Sequence, residues 1–435
     1  MFDLLKKIFV LQFLFIITLT TLTCKKSPVE PNNFERFTLT FEDASCTEAW
    51  FNLKLNNLAK PVMVKVYKDN FLYRSFNIHS TNDTVFYIEN LLPKKNYEVF
   101  VEVQPANDKV YRSNKLRFTT MDTTSHEFTW QVWEFGDIGS SDLYDVAIID
   151  ENNIWAVGEI HIADTSINGY TTYNAIHWDG TKWELLRIPY YYNGQNFYSV
   201  IRAIYAFNKN DIWFGIASLI RWNGIEYKSI DTSPFFPALI NKMWGSSSED
   251  FYIVGNNGNI AHWDGRRWTK IESGTELDIF SIKGFVEKDK QGFEIICVAT
   301  STNETKIFKL RDKKVYLVSS KGLPWGIIDI WFKPLRRYFV VGNGIYYKDY
   351  SWDKWEMKRY LTNYFSYSIE GNNLNDVFIV GSFGDFLHFN GYDWYRKIFF
   401  EVDEFNRVSV KNNTIVLAGY KGKKAVLVLL KRTKK

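Results

Sequence analysis

Cysteine is scarce, with three in 435 residues, so no disulfide framework holds this chain and its stability must come from packing. A surplus of one charge is missing too. Lys and Arg total 53 against 49 Asp and Glu, a formal net charge of +4, which leaves no basic footprint for a nucleic-acid partner. No Gly-rich phosphate loop, Gly-x-Ser-x-Gly elbow, His-Glu-x-x-His or Cys-x-x-Cys occurs, so the familiar local signatures of catalysis and cofactor binding are absent. Apolar and aromatic residues, in contrast, are plentiful: 46% of the chain is hydrophobic, with 16 Trp, 26 Tyr and 35 Phe. That composition excludes a disordered or collagen-like protein, and the length allows about three domains of roughly 150 residues.

Lys6 and Lys7 precede an apolar stretch from Ile8 to Leu19, interrupted by Gln12 and Thr18. It falls short of the about 20 apolar residues of a membrane span and reads, within residues 1–23, as an export signal. Thr21-Leu22-Thr23-Cys24 follows. It resembles a lipobox of the loose kind found in Bacteroidetes and Ignavibacteria lipoproteins, with Leu at −2 rather than −3 and Thr before the cysteine. The resemblance implies that Cys24 is the lipidated N-terminus and membrane anchor. An ordinary secretory signal with an incidental cysteine is the alternative, and in either case the chain leaves the cytoplasm. Lys25 at the next position implies, by the same resemblance, the outer membrane of the cell envelope. Residues 24–33, polar and proline-bearing, suit a tether. Cys46 and Cys297 fall in different domains and are expected to be buried small hydrophobes.

Between residues 34 and 121, short runs such as Phe37 to Phe41, Ala49 to Leu55, Val62 to Tyr67 and Tyr97 to Val103 alternate apolar and polar residues between turn signals. Period-two alternation at this spacing predicts an all-β sandwich. Leu91-Leu92-Pro93-Lys94-Lys95-Asn96-Tyr97 matches a Leu-x-Pro-x-x-x-Tyr corner, and Trp50 stands where a core tryptophan of the second strand belongs. The segment resembles a fibronectin type III domain, which implies a spacer or adhesion module. No Arg-Gly-Asp tripeptide accompanies it.

From 128 to 432 the sequence repeats. Apolar strand anchors stand at Val146, Ile204, Met243, Ile282, Ile330, Ile369 and Val408, spaced by 39 residues in most cases and by 58 and 48 in two. Each is followed by a polar turn and a strand ending in Gly or Ala. Asp179-Gly180, Asn223-Gly224, Asp264-Gly265 and Asn390-Gly391 supply hairpin turns. Four short strands per period of about 40 residues predict a seven-bladed β-propeller. The last repeat lacks a Trp-bearing fourth strand, and Phe128 to Phe135 resembles one. That N-terminal outer strand is therefore expected to close the ring. The layout as a whole resembles exported propeller lipoproteins of Ignavibacteria and Bacteroidetes type. Some of these carry a glucosyltransferase label, yet no nucleotide-binding α/β half and no Asp-x-Asp motif is present.

Trp-Asp-Gly-x-x-Trp reads as a turn with a packing tryptophan, because a sialidase Asp-box separates its Asp and Gly. His177, His262 and His388 occupy equivalent places in their repeats, too far apart around a ring to share an ion, so no metal site is expected. No cofactor and no catalytic residue is legible. Asp137, Glu272, Asp278, Glu401 and Asp403 read as solvated loop charge. Aromatic residues gather in segments leading from one repeat to the next: Tyr190, Tyr191, Tyr192, Phe236, Trp325 and Tyr364. An insertion from Ile160 to Tyr173 is expected on the same face. Exposed rings near Asn and Gln suit sugar rings or peptide side chains, although rings in such loops also plug gaps between blades. The expectation is a binding protein whose loop-rich face takes a glycan or protein ligand. The alternative is a carbohydrate-active enzyme working at the channel mouth.

Overall fold

Alternation between residues 37 and 119 resolves into two antiparallel sheets. Phe37–Ala44, Ala49–Leu55 and Asp83–Ile88 form one; Phe71–Ile78, Val62–Lys68, Asn96–Pro105 and Tyr111–Arg112 form the other, with Leu116–Thr119 also on Asn96–Pro105. Their inward residues, including Leu39, Phe51, Leu53, Val64, Val101 and Phe118, share one core. The Tyr97 hydroxyl accepts the Leu92 N–H at 2.8 Å, so the proline-containing corner is pinned by its own tyrosine. Trp50 is buried, but alternation puts it on the opposite side of its strand from Phe51, Leu53 and Leu55. Phe51, not Trp50, fills the core at this point. The structure, a computed structural model, describes residues 36–286, 293–349 and 354–433, so the export signal, Cys24 and the tether lie outside the described residues. The chain divides into two units after Thr120.

In the second unit the described residues form seven four-stranded antiparallel sheets. Their first strands are Asp142–Asp150, Ala203–Asn208, Ile240–Ser247, Asp278–Val286, Ile327–Lys333, Ser366–Asn373 and Glu404–Lys411. Each neighbours the first strand of the following sheet, and the seventh neighbours the first. Apolar side chains fill the spaces between consecutive sheets: Val157 and Ala175 meet Ile204 and Phe214, while Trp213 meets Ile240 and Phe251. Between last and first sheets, Val416 and Leu427 meet Leu143 and Ile154. The seventh sheet takes its fourth strand from the other end of the sequence. Phe128–Phe135 pairs antiparallel with Lys424–Arg432 along its whole length, and Trp133 packs 5.9 Å from Trp183 of the first sheet.

Local chemistry explains the repeat. Asp179, Asn223, Asp264 and Asn390 each accept two backbone N–H bonds from the turn that follows, at 2.8–3.0 Å. The next residue is a glycine with φ between 83° and 95°, a conformation that a Cβ disfavours. The glycine near the end of five of the second strands has a different cause. A Cβ at Gly158, Gly255, Gly342, Gly381 or Gly419 would lie 1.8–2.1 Å from a carbonyl oxygen of the first strand or the residue leading into it. That carbonyl comes so close because the first strand bulges there.

Candidate functional site

Six of the seven first strands carry this bulge, with register shifts at Leu143/Asp145, Ile240/Lys242, Ile279/Ser281, Ile327/Asp329, Ser366/Ser368 and Phe405/Arg407. Each leaves one residue unpaired: Tyr144, Asn241, Phe280, Ile328, Tyr367 and Asn406. A bulge re-aims its extra side chain, and these six line one cavity of about 460 Å³ together with Arg202, Phe365 and Arg407. Arg202 holds the equivalent place in the second sheet. The cavity is thus built from one position of the repeat, used seven times.

The next residue of each first strand forms the layer beneath: Asp145, Ala203, Lys242, Ser281, Asp329, Ser368 and Arg407. Lys242 Nζ lies 2.9 Å from Asp145 Oδ1, and Arg407 bridges, with Nε 3.1 Å from Asp145 and Nη1 3.3 Å from Asp329. Asp329 also accepts from Ser281 Oγ at 2.6 Å and Ser368 Oγ at 3.0 Å. Burial pushes the Asp145 carboxyl up, but the charges of Lys242 and Arg407 outweigh it and hold the group below the usual carboxylate range. Burial, aided by Arg407, lowers the Lys242 ammonium. Two cations and two carboxylates cancel, and the floor of the cavity is a neutral ionic plug.

Beside the mouth lies a second, apolar cavity of about 440 Å³, lined by Tyr190, Tyr192, Phe197, Ile216 and Leu239, with Arg202 again in its wall. Its roof is a hairpin that pairs Tyr190–Tyr192 with Gln195–Phe197, turned by Asn193 and Gly194 at φ 49° and 82°. Alternation sends Tyr190 and Tyr192 to one side, their rings stacked at 6.3 Å. Tyr191 is exposed, and its N–H donates to Ser229 Oγ at 2.7 Å, tying the hairpin down. Arg202 stacks on Tyr144, 4.9 Å from ring centroid to guanidinium carbon, so this exposed cation is shared by both cavities.

Of the remaining residues singled out from the sequence, Trp325 is half exposed, and Tyr364 is exposed with its ring 4.8 Å from Phe383 and the Arg396 guanidinium over it at 5.3 Å. Phe236 needs correction. The turn closed by its N–H on the Thr232 carbonyl at 2.7 Å drives the ring inward, where it is fully buried between the second and third sheets. It is core and presents nothing to a ligand. The Ile160 to Tyr173 insertion extends the second and third strands of the first sheet and meets the loop into the first strand, where Asp137 N–H donates to the His161 carbonyl at 3.1 Å. The loop carboxylates are engaged locally: Asp137 accepts from Ala163 N–H, Asp278 from Asn257 N–H, and Asp403 from Gly422 N–H. His177, His262 and His388 bond within their own sheets, to Asn153, Asp250 and Asp376 at 3.0, 2.7 and 3.0 Å.

Sequence reasoning missed Arg202, Phe280, Tyr367, Asn241 and Asn406. The signal was available: each stands two residues before a strand anchor. It also missed two carboxyls at the rim. Burial raises Asp142 to about 7 although the Asn406 amide donates to it at 2.7 Å. Burial likewise raises Glu404, against a hydrogen bond with Tyr367.

No protein-family model matches the sequence, and no curated protein does. Similarity appears at the level of structure. "YCF48 bound to D1 peptide" aligns over 72% of this chain and all of that one, with TM-score 0.53 and 14% identity. "YCF48 from Cyanidioschyzon merolae" aligns over 70% of this chain and 98% of its own, with TM-score 0.47 and 15% identity. The C-terminal WD40 domain of Sif2 covers 77% of this chain and 93% of its own, with TM-score 0.45 and 10% identity. The seven neighbouring four-stranded sheets, together with the likeness to the peptide-bound YCF48 structure, give the second unit a propeller-type fold.

Proposed function

We propose that this chain is an exported, lipid-anchored binding protein whose seven-bladed propeller captures an extended polypeptide segment on its loop-rich face. The observation that carries the reading is the pair of adjoining cavities sharing Arg202. The apolar one, under the tyrosine hairpin, suits a hydrophobic side chain. The mouth, walled by Arg202, Asn241, Asn406 and aromatic rings, suits an acidic or amide-bearing neighbour on the same strand of ligand. YCF48, of similar fold, has been solved with a peptide, which supports a polypeptide as the ligand class. In this reading the first unit is a fibronectin type III-like spacer, a role consistent with its two sheets and the Tyr97 corner, and Cys24 is the anchor at the outer membrane.

The test is selection from a phage-displayed peptide library on the full chain. Enriched peptides are expected to place an apolar residue near an acidic one and to lose affinity for the Arg202→Ala and Tyr192→Ala variants. Peptides that bind both variants as well as the parent, or glycan-array binding with no peptide enrichment, would overturn the reading. A second reading, a carbohydrate-active enzyme, is favoured by one observation: Asp142 and Glu404, both shifted upward, stand at the rim of the same mouth. Cleavage of any glycan by the parent and not by Glu404→Gln would establish it.

A further inference from the structure

On the side of the sheets where first strands turn into second strands and third into fourth, residues 121–127 lie along the sixth and seventh sheets. The Asp122 carbonyl accepts from Asn375 Nδ2 at 2.8 Å, Thr124 Oγ1 donates to the Asn375 carbonyl at 2.5 Å, and the Glu127 carbonyl accepts from Thr433 N–H at 3.1 Å. His126 is the centre of this strap. Its Nδ1 stands 2.8 Å from Nδ1 of His388, and its Nε2 stands 3.1 Å from Asp393 Oδ1. His388, fully buried between Phe128 and Phe378, turns its Nε2 to Asp376 Oδ1 at 3.0 Å. Asp376 is in turn held by Arg432 and by Asn372 Nδ2. The Tyr395 ring packs on His126.

The proton count of this row is fixed by its geometry. Four ring nitrogens stand in line between two carboxylates. Each carboxylate contact needs one N–H, and the contact between the rings needs one N–H facing one lone pair. Three protons satisfy all three contacts: one on each Nε2 and one between the two Nδ1 atoms. A fourth proton sets two cationic rings nitrogen to nitrogen at 2.8 Å, with Arg432 close by. Removing one of the three leaves a lone pair facing a carboxylate or another lone pair.

We propose that residues 121–127 form a pH-gated strap, clasped by His126 and His388 only while the pair holds three protons, and released by both acid and alkali. Burial, with His126 and Arg432 adding to it, lowers His388 to about 4 despite the hydrogen bond that its Nε2 donates to Asp376, which sets the acid edge low. The alkaline edge is the loss of one of the three protons from the pair, which leaves one of the three contacts without its N–H. Release frees seven residues ahead of Phe128–Phe135, up to about 25 Å of extended chain.

Hydrogen exchange of the full chain tests this, with rates corrected for intrinsic pH dependence. Protection of residues 121–127 is expected to be greatest in mild acid. It should fall about fivefold on the alkaline side, the scale of one partly exposed ion pair, and more steeply as pH approaches 4. The strand Asp250–Gly255 should stay protected throughout. His126→Gln should flatten the profile, and Asp393→Asn should remove the alkaline edge while keeping the acid one. Flat protection in the parent, an unchanged profile in His126→Gln, or loss of protection in step with Asp250–Gly255 would overturn the proposal.

Discussion

Asp142 and Asp145 sit three residues apart on one strand, and amidation of each should change stability in opposite directions. Asp145 is fully buried and touches Lys242 Nζ, Arg407 and the Ile204 N–H. Asp145→Asn keeps the shape and removes one of two carboxylates, leaving Lys242 and Arg407 to share Asp329. An uncompensated buried charge of this kind costs about 3–5 kcal/mol. Asp142 is the reverse case. Its pKa rises to about 7 in the fold, whereas an unfolded Asp titrates near 3.9. Between these values the folded chain binds the extra proton, so stability falls as pH rises through that window. Asp142→Asn should therefore stabilise the protein above pH 7, by about 1–3 kcal/mol once partial exposure is allowed for. The Asn406 donor keeps an acceptor. Urea unfolding at pH 8, followed by tryptophan fluorescence, reads the second unit, because Trp50 is the only tryptophan before residue 121. In Asp145→Asn the additional change Lys242→Met should restore part of the loss by restoring neutrality. Midpoints that shift in the same direction for both single variants, or an Asp145→Asn chain as stable as the parent, would refute the reasoning.

Three further outcomes are expected. Gly419→Ala places a methyl carbon 1.8 Å from the Glu404 carbonyl oxygen, so the first strand must shift there, at a cost of about 1–3 kcal/mol by thermal unfolding. Gly422→Ala, open on every side but at φ 57°, should cost less. His388, lowered by burial to about 4 from the about 6.5 of a free imidazole, lets the unfolded chain take up a proton first. Its contribution of about 3 kcal/mol, complete above 6.5, should drain away between pH 6.5 and 4 and be missing from the pH profile of His388→Phe. Phe236→Ala should unfold the second unit at lower temperature, by about 3–5 kcal/mol, whereas Tyr192→Ala should leave the melting temperature nearly unchanged and lower the affinity for selected peptides.

Much of the fold was legible because the repeat is written in apolar anchors and in turn glycines. Val146 through Val408 mark first strands, Asp179-Gly180 and its equivalents mark hairpins, and the likeness of Phe128 to Phe135 to Trp183 and its flanks marks the strand that joins the seventh sheet. Part of the site was legible as well, in the tyrosines of the hairpin. The mouth was not, and the reason is physical. A bulge adds one residue without disturbing the apolar run on either side, so Asn241 and Asn406, like Arg202 just ahead of its strand, look like ordinary outward positions of short strands. Nor do Asp145, Lys242, Asp329 and Arg407 announce themselves, because one charge per repeat resembles a solvated surface until seven strands are brought side by side. Phe236 shows the limit for single residues: an aromatic in a polar loop reads the same whether the turn points it out or in. Asp142 and Glu404 are ordinary carboxylates in sequence, and only burial distinguishes them.

The central claim concerns which face of the propeller-type unit binds, and photo-cross-linking in cells that produce the full chain tests it most directly. A photoreactive amino acid would replace Tyr192, Tyr364 or Ile225 in the full chain. Tyr192 and Tyr364 belong to the loop-rich face, while Ile225 is exposed in a turn between third and fourth strands on the other side. Adducts with a polypeptide from positions 192 and 364, and none from 225, are the expected result. Equal adducts from 225, or none from 192 and 364, would contradict the account.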